Sequence, residues 1–395
     1  MKIGFIGLGK LGMPCAEVIA KKGHSVLVYD VAKVDSDYVI VEDTIEETVK
    51  DRDIVFVAVP TPPDPAYDGR APTAHLEPKD FSYDIVHNVL VEANKHMNKD
   101  QLLVLVSTVL PGTVRREFVQ HITNTRFVYN PYLIAMGTVA WDMVNPDIVM
   151  IGTDDGSATG DAIELVRFYQ TIIENNPKYE IGTWDECECI KVFYNTFIST
   201  KIGLVNMMQD VAERQGNINV DKVTDALSNC TKRITSSAYM KAGMGDGGAC
   251  HPRDNIALRY MAKKLDLGYD IFDAIMNARE VQAKNMAEKL CNIAREKELP
   301  ILLNGIAYKP GVEYIDGSYA LLVDYYCNKI GFNPMKVDPK VYGSDPGPFR
   351  AVVLLAHPEM YVDLTEDSVV VDPWREHTSD RYKVIHYGNT RNVAF

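Results

Sequence analysis

A thiol set among glycines is the first feature of this 395-residue chain that suggests chemistry: Gly245-Asp-Gly247-Gly248-Ala-Cys250-His-Pro252-Arg253-Asp254. So many glycines cost conformational entropy, and close approach of the backbone to another group is the physical reason to keep them. A cation at Arg253 and nearby backbone N–H groups would lower the pKa of Cys250, as an activated nucleophile requires. A small buried cysteine is the plainer alternative. Lys191 and Asn195 stand at i, i+4, which puts an ammonium and an amide on one helix face, able to hold a developing alkoxide. A solvated pair is the ordinary reading of that spacing.

The N-terminal Gly7-Leu-Gly9-Lys-Leu-Gly12 follows an apolar run and opens a helical pattern. In such a turn Gly7 makes the bend, Gly9 lets backbone approach a pyrophosphate, and Gly12 allows close helix–strand packing. The phosphates would sit on the helix N-terminus. Asp30, at the end of the next run, can accept from both ribose hydroxyls and would repel a 2′-phosphate, which favours NAD over NADP. Thr61, in Val59-Pro60-Thr61-Pro62, and Thr108, in Ser107-Thr-Val-Leu-Pro-Gly-Thr113, offer hydroxyls at further strand ends. N-cap and turn chemistry would use the same hydroxyls.

Elements that could position these residues follow from the apolar patterning. Val/Ile-rich runs predict strands at 2–6, 25–29, 54–59, 102–106, 127–129 and 148–151, with helix-length segments between several of them. That is the pattern of βαβ units and a parallel, doubly wound sheet. Residues 188–215 and 269–298 contain no proline and a single glycine, and they show apolar spacing of three to four, which predicts two long helices. Strands are predicted again at 301–304, 335–338, 351–355 and 369–372. The proline-rich stretch 61–78 reads as an irregular loop. The two α/β ends are similar in style but do not align as a repeat.

Composition excludes whole classes of function. Apolar residues are 46% and charged residues 24%, ordinary for a globular protein of two or three domains. A net charge of −13 is the wrong sign for nucleic acid or an anionic membrane surface. No apolar run reaches the roughly 20 residues of a membrane span. Glu17, Lys21 and Lys22 argue against a signal peptide at the start of the chain. Seven scattered cysteines, with no second cluster at zinc spacing to join Cys187-x-Cys189, predict a reduced, cytosolic protein without a metal.

Taken together, the motifs resemble the UDP-glucose/GDP-mannose dehydrogenase family over nearly the whole chain. The matching pieces, in order, are Gly7-x-Gly9-x-x-Gly12, Val59-Pro-Thr-Pro62, Ser107–Thr113, Asn130-Pro131, Gly137-Thr138, Asn145-Pro-Asp147 and Lys191-x-x-x-Asn195. Arg233-Ile234, the Cys250 loop and Gly305-x-Ala-Tyr-Lys309 follow. The resemblance implies an α/β fold with an N-terminal Rossmann domain (residues 1–186), a central long-helix dimerisation region carrying the Cys loop (187–298) and a C-terminal Rossmann-like domain that binds the nucleotide sugar (299–395). It implies NAD-dependent oxidation of a sugar C6 alcohol to the acid through a Cys250 thiohemiacetal and thioester, in a homodimer. UDP-glucose is the expected substrate. GDP-mannose, a UDP-N-acetylhexosamine, a stop at the aldehyde and a non-catalytic binding protein are the alternatives.

The catalytic residues it implies are Cys250, Lys191, Asn195, Asp254 and Thr108. The cofactor residues are Gly7, Gly9, Leu11, Gly12, Asp30, Lys33, Thr61 and Thr108. The substrate residues are Tyr132, Lys191, Asn195, Gly247, Lys309, Arg375 and, reaching the neighbouring subunit's substrate, Arg233. The chain also departs from the pattern. Tyr132 and Met136 stand where the family usually has glutamates, and Tyr132 cannot be a carboxylate base near neutral pH. Asp316 replaces a family arginine, and Arg375 lies in Asp372-Pro-Trp-Arg375, one residue longer than the family's Asp-Gly-Arg.

Overall fold

Strand β1 (Lys2–Ile6) is buried from its second residue onward, so its apolar side chains must be covered on both faces. That is the condition of a central parallel strand. A computed structural model describes residues 1–62, 80–135, 137–236, 242–245, 259, 262–343 and 347–388; some side chains of the long central helix, Asn195 among them, also lie outside the description. The chain divides into two compact units, Met1–Lys201 and Ile202–Phe395.

In the first unit eight strands form one sheet in the order β3-β2-β1-β4-β5-β6-β7-β8. The members besides β1 are β2 (Ser25–Tyr29), β3 (Ile40–Val41), β4 (Ile54–Val57), β5 (Leu102–Leu105), β6 (Arg126–Tyr129), β7 (Ile148–Thr153) and β8 (Lys178–Thr183). The order reverses between β1 and β4, the place where such sheets bind ligands. Register aligns the carboxyl ends in one row: Ile6 pairs with Tyr29 and Val57, Val57 with Leu105, and Leu105 with Tyr129. The next few residues of five strands therefore emerge along one edge.

Alternation along the strands splits the core between the two faces. Ile3, Phe5, Phe56 and Val104 pack with Cys15 and Ile19 of α1 (Gly12–Lys21). Ile6, Val57, Leu105 and Tyr129 pack with Val86 and Leu90 of α2 (Asp84–His96) and with Cys187 of α3 (Trp184–Gln215). Helix α3 starts four residues before the predicted 188. Thr183 and Glu186 form a reciprocal cap there: Glu186 N–H donates to Thr183 Oγ1 at 3.2 Å and Thr183 N–H donates to the Glu186 carboxylate at 2.8 Å.

The second unit has a five-stranded parallel sheet, β10-β9-β11-β12-β13. Its strands are β9 (Ile301–Asn304), β10 (Met335–Val337), β11 (Val352–Leu355), β12 (Val369–Asp372) and β13 (Lys383–His386). Helices α4 (Ile271–Lys297) and α5 (Tyr319–Ile330) cover one face through Leu290, Ala294, Val323 and Cys327.

The fold corrects the expected all-parallel first sheet at one place: β6 and β7 run antiparallel, meeting at Tyr129 and Gly152. Strands β3, β8 and β13 escape the sequence reading because none is fully buried. Polar residues interrupt β8 (Lys-Tyr-Glu-Ile-Gly-Thr), so no run of apolar residues marks it. Several predicted strand ends are trimmed by one or two residues. Of the proline-rich stretch, residues 63–79 lie outside the described residues.

Candidate active site

The site grows from the glycine turn after β1. Gly7 has φ +93°, and its N–H donates to Tyr29 O at 3.0 Å. A Cβ there would lie 2.6 Å from Ala58 O, and one on Gly12 would lie 1.9 Å from Gly7 O. Only glycine fits either place. At Gly9 a Cβ would meet nothing within 4 Å, so the protein itself does not demand glycine there. Room beside the opening turn of α1 is what a phosphate needs.

Asp30 follows β2. One carboxylate oxygen accepts from Leu8 N–H at 2.5 Å and the other from Ala32 N–H at 2.8 Å. Each oxygen keeps a lone pair, so acceptance from ribose hydroxyls remains open to it. Thr61 Oγ1 donates to Thr108 O at 2.7 Å, and Ser107 Oγ donates to Val59 O at 2.6 Å. These two bonds stitch the segment after β4 to the segment after β5.

A cleft of about 650 Å³ runs along this edge. Gly7, Gly9, Leu11, Gly12, Asp30, Thr61, Thr108, Tyr132 and Lys191 all line it. Lys33 does not; it is exposed on the loop after Asp30. Lys10, which sequence reasoning passed over, does line it, and puts a cation beside the glycine turn.

Lys191 Nζ donates to the backbone oxygen of Tyr132 at 2.6 Å. Burial lowers the pKa of this lysine from its ordinary value. The Tyr132 hydroxyl lies in the core, 3.1 Å from the Tyr169 hydroxyl. Tyr169 in turn donates to Asn130 Oδ1, and Asn130 Nδ2 donates to Met150 O at 2.6 Å. Burial, with Tyr169 beside it, pushes the Tyr132 phenol well above its usual range, so it stays neutral. A second hollow, lined by Ile134, Trp141, Asp147, Lys191 and Tyr194, adjoins the same lysine.

In the second unit Lys309 is exposed and borders a small pocket with Tyr308, His357 and Trp374. Arg375, at φ +60°, donates to the carbonyls of Pro373, Tyr387 and Ala242. Arg233 is exposed after the helix Val220–Ser228. Met136, Gly247, Cys250 and Asp254 lie outside the described residues, as does the Asn195 side chain. Among the described residues no His/Cys/Asp/Glu group could hold a metal, and no helix is long and apolar enough to cross a membrane.

Comparison with known proteins matches residues 32–173, which include the Thr61, Thr108 and Tyr132 part of the cleft, to the NAD binding domain of the UDP-glucose/GDP-mannose dehydrogenase family. Residues 185–281 match that family's central domain. The chain belongs to the UDP-glucose/GDP-mannose dehydrogenase family. It is an NAD-dependent oxidoreductase of the nucleotide-sugar dehydrogenase type. It is 26% identical over 352 residues to UDP-glucose 6-dehydrogenase of Rickettsia prowazekii, covering 81% of this chain and 77% of that one. It is 26% identical over 414 residues to the UDP-glucose 6-dehydrogenase TuaD of Bacillus subtilis, covering 95% and 84%. The fold matches a ternary complex of GDP-mannose dehydrogenase from Pseudomonas aeruginosa with a TM-score of 0.80 at 20% identity, covering 97% of this chain and 99% of that one.

The cleft fits NAD on its own terms. Gly9 leaves space at the helix start, Gly7 and Gly12 hold the tight turn, and Asp30 presents acceptors on the same cleft. Sequence reasoning placed Ser107 and Asn130 in motifs without giving them a role, and passed over Tyr169 and Glu188. Each shows its role only through a partner distant in the chain.

Proposed function

We propose that this chain oxidises the C6 alcohol of a nucleotide sugar, UDP-glucose first among candidates, to the carboxylate. The observation that carries the reading is Lys191: a partly buried ammonium lining the same cleft as Gly9, Asp30 and Thr108. An ammonium there can stabilise an oxyanion developing on the sugar carbon. Bound NAD would accept the hydride. Gly7, Gly9, Leu11 and Gly12 would hold its phosphates, Asp30 its ribose, and Thr61 and Thr108 the nicotinamide side; Lys33 would act from the rim.

Cys250 would add through sulfur to the C6 aldehyde. Loss of a second hydride would leave a thioester, and water would cleave it to the acid and the free thiol. Asp254 would position that water, and Asn195 would orient Lys191. Gly247, Lys309 and Arg375 would bind the nucleotide sugar, with Tyr132 beside the sugar and Arg233 reaching the substrate of a second copy. The resemblance supports a three-part chain (residues 1–186, 187–298 and 299–395) that works as a homodimer. The six described cysteines are all free, which supports a reducing, cytosolic setting.

Tyr132 favours a second reading, oxidation that stops at the aldehyde. Its neutral, core-bound hydroxyl offers no base to take the thiohemiacetal proton as the second hydride leaves. The test is NADH released per sugar with NAD and a panel of UDP-glucose, GDP-mannose and UDP-N-acetylhexosamines. Two NADH per sugar, abolished in Cys250→Ala, supports the acid. One NADH supports the aldehyde, and none with any sugar overturns both.

A further inference from the structure

Glu188 sits one helical turn before Lys191 on α3 and is completely buried. By spacing alone the two would pair as i, i+3 on a solvated face. Their contacts instead run to different parts of the sheet edge. The Glu188 carboxylate accepts from Gly112 N–H at 2.6 Å with one oxygen and from Val114 N–H at 2.7 Å with the other. Lys191 reaches the Tyr132 carbonyl. Gly112 and Val114 follow Thr108 by four and six residues, at the turn that opens the short helix Val114–Phe118. Two short, charge-assisted bonds to backbone N–H groups are strong and directional, and a buried carboxylate needs them. Helix α3 is thus held at two neighbouring strand ends, by Glu188 after β5 and by Lys191 after β6.

We infer that Glu188 is a positioning residue for the reaction: it locks the Thr108 segment to the helix that carries Lys191, and so sets where the ammonium stands in the cleft. The inference rests on the proposed role of Lys191. A glutamine of the same shape can accept only one of the two N–H bonds, because its amide nitrogen confronts the other donor. Displacement of about 1 Å at a reacting group costs up to roughly 100-fold in rate.

The experiment compares Glu188→Gln, Glu188→Asp and Lys191→Ala with wild type in the full-length protein, using NAD with UDP-glucose and, in parallel, GDP-mannose. Folded fraction and hydrogen exchange at Gly112 and Val114 are measured alongside. Expected for Glu188→Gln is a kcat per folded molecule roughly 10- to 100-fold lower. The KM for NAD should change little, with faster exchange at one of the two amides. If that variant does not fold, Glu188→Asp, which keeps the charge but withdraws it by one methylene, should show the same kcat loss. Wild-type kcat per folded molecule in a folded variant, or a change confined to KM, overturns the assignment. If Lys191→Ala loses turnover while Glu188→Gln keeps it, only the Glu188 role fails. If Lys191→Ala keeps turnover, the reading of Lys191 fails and the inference falls with it.

Discussion

The two sheets open with the same device and use it for different ends. After β1, Gly7 at φ +93° sends its N–H to Tyr29 O at 3.0 Å; after β9, Gly305 at φ +94° sends its N–H to Val337 O at 2.7 Å. In each case an aspartate one residue past the neighbouring strand accepts from the turn: Asp30 from Leu8, and Asp338 from Ile306 and Ala307, both at 2.9 Å. The difference lies in the surroundings. Asp30 borders a cleft of about 650 Å³. Asp338 is 2% exposed, takes a third N–H from Lys340 at 3.0 Å and is roofed by His357.

What stands after the third strand of each set decides this. After β4 come Ala58 and Val59, which crowd Gly7 with backbone and a small side chain, a Cβ there lying 2.6 Å from Ala58 O, yet themselves line the cleft beside Asp30. After β11 comes His357, whose ring would lie 2.3 Å from a Cβ on Gly305. His357 Nε2 donates to Ala307 O, and its Nδ1 shares a hydrogen bond with the Tyr361 hydroxyl, both at 2.9 Å. One turn geometry therefore opens on a cleft in the first unit and forms a buried pin in the second. The lesson is that a glycine turn with an aspartate does not by itself make a nucleotide site.

The comparison can be broken most severely at Asp338. Asp338→Ala should strand the two buried N–H groups of Ile306 and Ala307 and release that of the exposed Lys340, costing about 3 kcal/mol, read as a lowered melting temperature. Asp30→Ala should cost less stability, about 1 kcal/mol, yet weaken NAD binding at least tenfold by titration. If Asp30→Ala proves the more destabilising and binds NAD normally, the two roles have been exchanged.

Gly12→Ala comes next. Its methyl would collide with Gly7 O, and the strain should reach about 1–3 kcal/mol, with a matching loss of NAD affinity by titration. Gly9→Ala, with open space around it, should fold like wild type and lose affinity only, which separates packing from ligand approach.

The pH dependence sharpens the contrast. Burial pushes Asp338 up, but N–H bonds from Ala307, Ile306 and Lys340 and the nearby His357 outweigh it, holding the carboxyl below its ordinary 3.8. A depressed carboxyl contributes stability that is present above the unfolded value and lost as pH falls through the folded one. Acid unfolding of the second unit should therefore steepen below about pH 3.8, and Asp338→Asn should flatten that slope. Lys191 behaves oppositely at high pH. With its pKa lowered by burial, kcat should decline on an alkaline limb lying below the ordinary 10.5. Thr61→Val is the smallest change expected, removing one hydrogen bond to Thr108 for about 1 kcal/mol and raising the KM for NAD a few-fold.

Much of the fold could be read from the chain because its signals are local. The runs at 2–6, 25–29, 301–304 and 369–372 coincide with strands, since buried parallel strands leave unbroken apolar stretches. Of the edge strands, only β10, predicted at 335–338, left a mark; β3, β8 and β13 did not. The Thr183–Glu186 cap was visible as Thr-x-x-Glu but went unread, which put the start of the long helix four residues late. The shared device of Gly7 and Gly305 leaves no common sequence, because Gly-Leu-Gly and Gly-Ile-Ala match in backbone and not in composition.

For the site, the amino-acid order alone determined the glycine turn, the aspartate that ends the β2 run and the family, because each depends on residue types at short separations. Only the tertiary structure decided that Glu188 grips Gly112 and Val114 and that the Tyr132 hydroxyl turns to Tyr169. It alone decided that Asp338 is sealed where Asp30 is open. These facts depend on partners some 30 to 76 residues away, or on what roofs a strand end, and no spacing along the chain encodes them.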